Sequence, residues 1–497
     1  MPRYVIGFPQ SGAAEVSPFG TVWICEYEVR MTDQGNQTNK RGSEQATKVT
    51  AESVIVYSIV VLIAALGALS QTAANPMLPV LAGEFGVGLD AIQWVTTGYI
   101  LVIGVMVPIA TFLSRKVCTR THFAIGSLLF IAGSAFDAFA ANFDMLLFGR
   151  VLQATAVGVL MPLMQVIAVV KFPENKRGTA MGVGGIALGF APNVGPTFGA
   201  AMESAFGWRS FFMLLLVLNV VLLALTLVLI RKEPAKSPAA RFDVVSFLYS
   251  TMGFGALLIG VSVVSSATNL LLQVALPVAV GVFFIVLFVL RQKKIEQPLM
   301  HLQIFETPQF NRGLVVMILH FSAFMGITMI IPLWVQNLCG GSSLDSGMVL
   351  LPATVVALIM NPVAGIFMDH VGIRPVMLVL SAFVLTGALL EVTATEATPL
   401  WTMALYQAIR QFGIAGMIGP LQAWTLSRLE GPLISDGSSA CIQFRQVGSS
   451  IGAAVMVLLI QVVAAAGFST AVSYQAAFGF SAALVVAEVV LIVKYIK

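Results

Sequence analysis

Fourteen stretches of mostly apolar residues, each about 20 residues long, follow one another along the chain with short polar connections between them. They cover approximately residues 54–74, 92–113, 122–141, 146–170, 178–202, 209–230, 244–266, 270–290, 313–335, 347–368, 374–393, 399–424, 437–463 and 475–496. A helix that rises 1.5 Å per residue needs roughly 20 such residues to cross a hydrocarbon layer about 30 Å thick. The pattern therefore predicts an all-α polytopic membrane protein with fourteen transmembrane helices and no soluble catalytic domain.

Charged residues are too few for the surface of a soluble protein. Asp, Glu, Lys and Arg make up 10% of the 497 residues, and hydrophobic residues make up 58%. Soluble domains carry charges at about a quarter of their positions. We therefore expect most of the surface to face a lipid bilayer, and we expect no nucleic acid partner.

The positions of the basic residues predict the orientation. If the N-terminus is cytosolic and the helices alternate in direction, 23 of the 27 Lys and Arg residues lie in cytosolic tails and loops. Positively charged loops resist translocation across the membrane. An even number of helices then places both termini in the cytosol, and we expect a multi-pass protein of the cytoplasmic (plasma) membrane.

An internal repeat divides the chain. Residues 108–120 read PIATFLSRKVCTR and residues 362–374 read PVAGIFMDHVGIR, with Pro, Ala, Val and Arg at identical offsets. Parallel six-helix repeats with a binding cavity between them at mid-membrane are the architecture of the major facilitator fold, here in the order 6+2+6. The predicted divisions are a disordered cytosolic tail at 1–53, a six-helix bundle at 54–230, a linker with two extra transmembrane helices at 231–312 and a second bundle at 313–497.

Three arginines lie inside the apolar stretches. A charge at mid-bilayer costs about 2.5–3.5 kcal/mol on insertion scales, and it usually faces a cavity or a partner. We predict that Arg150 takes part in proton coupling and that Arg410 and Arg445 line the cavity. The alternative for all three is a structural role, in which the arginine pins helices through carbonyl groups or a neighbouring acid.

Proton coupling also requires a group that titrates. Glu488, on the last helix, and Asp137, near the outer end of its helix, are the predicted proton-transport acids, and Glu391 also lies near an outer end. Buried carboxylates are suited to carrying protons because their environment changes their proton affinity. The alternative for each acid is a structural bond to a neighbouring donor.

A candidate gate lies at the cytosolic side. Asp369 stands at a helix end, five residues before Arg374. We predict that it bonds to basic or helix-terminal groups across the two halves and releases them on opening. The equivalent position of the first half holds Arg115, so this latch exists in one copy.

Two helices carry further candidates. Gln71 and Asn75 on the first helix have amides that either line a wet cavity or cross-link helices. The glycine-rich stretch at 178–202 contains GFAPNVGPTFG, in which small residues allow close helix approach and proline bends the axis. Tight packing without a moving part is the alternative for this stretch.

At these motifs the chain resembles the fourteen-helix drug:proton antiporters of the major facilitator superfamily, and among them the Gram-positive lincomycin-resistance branch. The resemblance covers about residues 54–496. It rests on ALSQTAANPMLP, IQWVTTGYILVIGVMVPI, LLFGRVLQATAVGVLMPLMQ, KRGTAMG, GFAPNVGPTFG, AGIFMDHVGIR and GSSACIQFRQVGSSIG. The resemblance implies export of hydrophobic, often cationic, drugs and related multidrug efflux in exchange for protons.

The resemblance also implies roles for particular residues. Arg150 falls on the family's helix-four arginine, which is linked to proton coupling. Asp369 and Arg374 fall on the cytosolic gating motif, and Gly195 and Pro196 fall on a glycine-proline element typical of exporters.

Two positions depart from the family pattern. Ser70 stands where many relatives have an acid in helix one, and Arg115 replaces the gating acid of the first half. A uniporter or an altered stoichiometry therefore remains an alternative, as does a dedicated exporter or importer of one metabolite, lipid or peptide.

Other classes of protein are not indicated. His301 and His320 have no metal spacing, and the chain has no P-loop, nucleophile arrangement or paired catalytic carboxylates. We expect no enzyme, no cofactor and no metal. The expected partners are a small-molecule substrate and protons, and a monomer is expected because each copy contains its own pathway.

Overall fold

Regular structure is helical throughout the described part of the chain. The computed structural model describes residues 51–230, 242–264, 269–296 and 298–496. The predicted tail at 1–53 lies outside these ranges except for its last three residues, which open the first helix.

Fourteen long helices span the described ranges, as the apolar stretches predicted. They are α1 (Ala51–Ala73), α2 (Trp94–Lys116), α3 (Thr119–Ala138), α4 (Phe143–Lys171), α5 (Arg177–Gly185 and Ala191–Phe206, joined by the π-helical turn Ile186–Phe190), α6 (Trp208–Leu229), α7 (Val244–Ser262), α8 (Leu276–Gln292), α9 (Pro308–Leu333), α10 (Ser343–Val371), α11 (Ile373–Val392), α12 (Leu400–Leu426), α13 (Pro432–Ala465) and α14 (Thr470–Tyr495). Helices α1–α6 are called the first half below, and α9–α14 the second half.

Twelve membrane-crossing helices are found among the described residues by length and apolar composition alone. The two further helices that complete the fourteen are α5 and α12. Helix α5 is rich in glycine, and α12 carries the polar side chains Gln407, Arg410 and Gln411, all of them buried. A helix enclosed by other helices tolerates such residues because its polar groups bond to protein and do not face lipid.

Helix α5 differs from the continuous helix predicted at 178–202. A π-helical turn, Ile186–Phe190, interrupts it. Pro192 lies two residues after this turn and has no N–H to donate to the preceding turn. Wider turns and bends are common at such sites, and they let the two parts of α5 pack on different neighbours.

The additional pair α7 and α8 lies between the two halves in sequence. The two helices approach closely at Gly253 and Gly281, where a Cβ on Gly281 would lie 2.8 Å from the Gly253 carbonyl oxygen. Asp243 caps α7 and forms an ion pair of 2.9 Å with Arg291 at the end of α8. Helix α7 also packs against α2 and α13. The order 6+2+6 is therefore confirmed.

The two halves pack on each other along two lines. Helix α5 lies against α10 and α12, and α13 lies against α2 and α4. Each half thus contributes its own helices to a shared central interface, which positions the candidate residues described next.

Candidate functional site

Arg150 on α4 is bonded inside the first half. Its Nη1 donates to Ser70 Oγ at 2.7 Å and to Gln153 Oε1 at 2.9 Å. Its Nη2 and Nε donate to the carbonyl oxygens of Ser70 and Val95, both at 3.1 Å. The guanidinium therefore ties α4 to α1 and α2, and it lies in the membrane-spanning region, as the sequence predicted.

Aromatic rings cover the same guanidinium. Its carbon lies 4.0 Å from the centroid of the Tyr99 ring and 5.9 Å from that of Phe212. A crevice of about 150 Å³ leads to it. The crevice is lined by Trp94, Gly98, Tyr99, Leu147, Arg150 and Val151. Cation–π contacts and carbonyl bonds together keep this charge stable without an acid in direct contact.

Asp137 on α3 is the buried acid of the first half. Among the described residues, neither of its carboxyl oxygens has a hydrogen-bond partner. The carboxyl group presses against Gly149, the neighbour of Arg150 in sequence, so that a Cβ at Gly149 would overlap it. A buried carboxylate without a bonded donor is balanced only by a proton or by a nearby positive charge. Asp137 is therefore a buried acid whose predicted part in proton transport stays a prediction.

Arg410 on α12 is bonded to an acid in the second half. Its Nη1 forms a short ion pair with Glu391 on α11, and both side chains are fully buried. Its Nη2 donates to the Ala323 carbonyl oxygen at 3.1 Å and to Ser481 Oγ at 2.6 Å. Arg410 is enclosed in this structure, so its predicted place in a cavity wall stays a prediction.

The buried acids of the two halves occupy corresponding positions. The offset of 254 residues that aligns Pro108 with Pro362 also aligns Asp137 with Glu391, and both acids lie on the third helix of their half. Each half also carries a buried arginine on its fourth helix, but at this offset Arg150 aligns with Ala404 and not with Arg410. The internal repeat therefore extends to the buried acids, and each half places its arginine differently.

The two buried arginines bond to different kinds of partner. Arg150 bonds to the side chains of Ser70 and Gln153, whereas Arg410 bonds to the carboxylate of Glu391 and to Ser481. Asp137 therefore has no bonded donor among the described residues, while Glu391, the acid at the corresponding position, has one.

Glu488 pairs with a histidine. Its Oε1 lies 2.8 Å from Nδ1 of His320 on α9, and both side chains are buried at 1% exposure. The sequence pattern indicated no role for His320, because it has no partner nearby in sequence. The pair joins the first and last helices of the second half and forms a second buried titratable group.

Asp369 joins the halves at the predicted cytosolic side. Its Oδ1 accepts from the Gly178 backbone N–H at 2.8 Å, and its Oδ2 accepts from the Thr179 N–H at 2.7 Å and from Thr179 Oγ1 at 2.5 Å. These donors lie in the first turn of α5, where backbone N–H groups have no partner inside the helix and favour a carboxylate. The carboxylate thus caps a helix that belongs to the opposite half.

A second layer of polar contacts lies deeper between the halves. Gln422 Nε2 donates to Gln165 Oε1 at 2.9 Å, and Ser438 Oγ donates to the same oxygen at 2.6 Å. Thr111 Oγ1 donates to Ser439 Oγ at 2.6 Å. These neutral groups were not identified from the sequence, since amides and hydroxyls are common in helices and only the packing brings them together.

Glycines allow the close approach between halves. A Cβ on Gly365 would overlap the Gly178 carbonyl oxygen, and one on Gly419 would lie 2.7 Å from the Gly182 nitrogen. By contrast, Gly195 faces α1, where a Cβ on it would overlap Thr72, and Pro196 follows Gly195 in the same helix. The two parts of α5 therefore pack on different halves of the protein. Arg177–Gly185 packs on the second half, and Ala191–Phe206 packs on α1, in its own half.

The remaining predicted residues lie near the ends of helices. Gln71 is half-buried and Asn75 is exposed, at the outer end of α1. Arg374 is exposed at the start of α11. The side chain of Arg115 lies outside the described part of the chain. The roles given to these residues stay predictions.

Comparison with known proteins agrees with this architecture. Residues 60–453 match the Major Facilitator Superfamily profile. The human organic anion transporter MFSD10 (TETRAN) has a similar fold, with a TM-score of 0.64 at 14% identity, over 88% of this chain and 99% of that one.

Two bacterial relatives match most of the chain. The MFS-type transporter YcnB of Bacillus subtilis is 34% identical over 443 residues, which cover 89% of this chain and 93% of the relative. The lincomycin resistance protein LmrB of Listeria monocytogenes is 32% identical over 396 residues, covering 79% and 83%. The chain therefore belongs to the major facilitator superfamily.

Proposed function

We propose that this protein exports drugs or other small amphipathic organic compounds across the cytoplasmic membrane in exchange for protons. Similarity to a lincomycin resistance protein supports the efflux direction and the class of compound. The orientation follows the basic loops, with both termini in the cytosol.

The observation that carries the proposal is the bond of Asp369 to the first turn of α5. A transporter of this fold seals its pathway on one side while the other side is accessible. The Asp369 contact, together with the layer of Gln165 and Gln422, ties the halves together at the cytosolic side. In this proposal the structure is the state closed to the cytosol, and breaking these bonds admits the substrate.

Proton exchange is assigned to the buried titratable groups. Asp137 has no bonded donor and lies against Gly149, the sequence neighbour of Arg150. Protonation of the Asp137 carboxyl group therefore changes its electrostatic interaction with Arg150. Glu488, paired with His320, is the second site. Protonation at either site alters the bonds that hold helices of one half together, which couples it to the movement of the halves.

The gating residues follow from the same arrangement. Asp369 forms the latch, Arg115 lies at the corresponding place of the first half, near the end of α2, and Arg374 lies at the start of α11. Gly195 and Pro196 form the bend through which the outer part of α5 follows α1. The substrate path is assigned to the central interface, with Gln71, Asn75, Arg410 and Arg445 along it.

Gradient-driven ethidium uptake tests the proposal. Purified protein in liposomes with an acidic lumen should accumulate ethidium, and collapse of the pH gradient should release it. Arg150→Ala should lose the accumulation. Ethidium uptake that does not depend on the pH gradient would indicate a uniporter. The absence of ethidium movement would favour a dedicated transporter of one metabolite.

A further inference from the structure

Arg445 on α13 is a buried cation between the two halves. Its side chain is 6% exposed. Nη2 lies 3.8 Å from the sulfur of Met161 on α4, in the opposite half, and the guanidinium carbon lies 5.0 Å from the centroid of the Phe321 ring on α9. Among the described residues, Nη1 has no hydrogen-bond partner.

The surroundings of Arg445 differ from those of the other buried arginines. Arg150 donates four hydrogen bonds to oxygen atoms, and Arg410 is paired with Glu391. Within the described ranges Arg445 forms no ion pair with an acid, and its bonded acceptor is a thioether sulfur. A thioether is a weak acceptor, so most of the donor capacity of this guanidinium is unused.

A buried guanidinium with unused donors is a costly arrangement. Arginine keeps its charge at any physiological pH, so it cannot be relieved by losing a proton. A ring face attracts the cation but leaves its N–H groups unbonded. A buried charge is ordinarily balanced by an opposite charge, which here no described acid supplies. An anion that enters the interface would provide both the charge and the acceptors.

Arg445 lies beside the polar contacts that join the halves. Ser438, about two turns closer to the cytosol, and Gln443, two residues before Arg445, bond to α4 and α2 of the first half and are buried. Gln446, the next residue, and Ser449, one turn further out, are half-buried. Separation of the halves at these contacts, as the proposed transport requires, would expose Arg445.

We propose that Arg445 binds an acidic group of the transported compound, a carboxylate or sulfonate, while Met161 and Phe321 contact its apolar part. This proposal rests on the efflux function proposed above, because the bound compound is a transport substrate only if the protein is a transporter of such compounds. A guanidinium binds such oxyanions through two parallel hydrogen bonds, which fixes the orientation of the ligand. Compounds with an acidic group should then be preferred over cations of the same shape.

Equilibrium binding to the purified protein in detergent tests the proposal independently of transport. Fluorescein, an anionic xanthene dye with a carboxylate, and rhodamine 123, a cationic dye with the same ring system, are titrated and followed by fluorescence polarisation. We expect Arg445→Gln to raise the Kd for fluorescein at least tenfold and to leave that for rhodamine 123 unchanged or lower. Arg445→Lys keeps the charge without the planar fork, so it should raise the fluorescein Kd less.

Arg312→Gln is the matched control. Arg312 also lies over an aromatic ring, 4.7 Å from the Tyr495 centroid, but at the cytosolic start of α9. The Arg312→Gln variant should have the same Kd for fluorescein as the unaltered protein. The unfolding midpoint of each variant is measured in parallel, and if Arg445→Gln does not fold, Arg445→Lys decides the question.

The outcomes separate this proposal from the proposed function. Failure of the unaltered protein to bind fluorescein, or equal binding by the Arg445 variants, would overturn the anion site whatever the dye transport results. Arg445-dependent binding in a protein that moves neither ethidium nor fluorescein against a pH gradient would retain the anion site and reject gradient-driven efflux.

Discussion

Arg410 on α12 is bonded to Glu391 on α11, in a place where neither side chain is exposed to solvent. The buried arginine on the fourth helix of the first half, Arg150, bonds instead to Ser70 and Gln153, and Asp137 has no bonded donor. The duplicated acid thus occurs in a paired form, Glu391, and an unpaired form, Asp137. In the proposed function the paired acid holds helices together, and the unpaired acid exchanges protons.

The paired copy should therefore matter for stability. Arg410→Gln leaves Glu391 as an uncompensated buried charge, and breaking a buried pair in this way costs about 3–5 kcal/mol. We expect a lower free energy of unfolding for Arg410→Gln and for Glu391→Gln, measured by denaturant titration in detergent. The double variant removes both charges and should recover part of the loss. If the double variant lost as much free energy of unfolding as the two single variants together, the pairing would be contradicted.

The Asp369 contact should control opening to the cytosol. Asp369→Asn replaces one acceptor oxygen by an amide that faces backbone N–H groups, and Thr179→Val removes one of the three bonds. Spin labels at the exposed positions Asn175 and His370 report the separation of the halves by pulsed electron resonance. We expect longer distances in both variants, with the larger change in Asp369→Asn. Unchanged distances would contradict the role of a latch.

Close packing of glycines should be required for the same closed state. Gly365→Ala places a Cβ against the Gly178 carbonyl oxygen and should push α10 away from α5. Gly83→Ala is the matched control, because a Cβ there meets no atom within 4 Å. The same label pair should show opening in Gly365→Ala and no change in Gly83→Ala. A closed distance in Gly365→Ala would indicate that α10 and α5 adjust without separating.

The ion pair that joins α7 and α8 should give a pH-dependent contribution to stability. Partial desolvation raises the pKa of Asp243, but hydrogen bonds from Arg291 and Ser246 outweigh it and lower the pKa to about 2. The pKa of Asp243 is lower in the folded protein than its value of about 3.9 in the unfolded chain. The ionised carboxylate therefore stabilises the fold fully above about pH 3.9, and this contribution is lost as the pH falls towards 2. Asp243→Asn should therefore lower the unfolding midpoint at pH 7 and lower it much less at pH 2.

The size of this effect is limited by solvent. Arg291 is 36% exposed, so screening keeps the expected difference near 0.5–1 kcal/mol. Midpoints of both proteins are compared at pH 7, 4 and 2. A difference of the same size at pH 2 would show that the stabilisation does not come from the charge of Asp243, because protonation removes that charge and asparagine keeps the helix cap.

Much of the fold could be predicted from the sequence because the membrane imposes a simple rule on length and polarity. Apolar stretches of sufficient length and the distribution of Lys and Arg predicted the number and order of the helices. The π-helical turn of α5 was not predicted, because a proline shows that the hydrogen-bond pattern changes without showing how. Helix α12 tolerates the charge of Arg410 because this side chain is buried among other helices, and this burial is determined by the packing of the helices.

The candidate site was less accessible to sequence reasoning. Glu391 and Arg410 each stand out in the sequence, but their pairing depends on which helices are neighbours. His320 shows no partner in the sequence because Glu488 lies on the last helix of the chain. The repeat offset carries usable information, since residue numbers alone align Asp137 with Glu391.

The central claim, that Asp137 exchanges protons for substrate, is tested most directly by comparing two modes of ethidium movement in proteoliposomes. Net uptake driven by an acidic lumen requires proton movement, whereas exchange of internal for external ethidium at equal pH does not. Asp137→Asn should lose at least tenfold in gradient-driven uptake and retain exchange. Asp144→Asn, which alters an exposed acid in the first turn of α4, should retain both. Gradient-driven uptake that survives in Asp137→Asn would contradict the account.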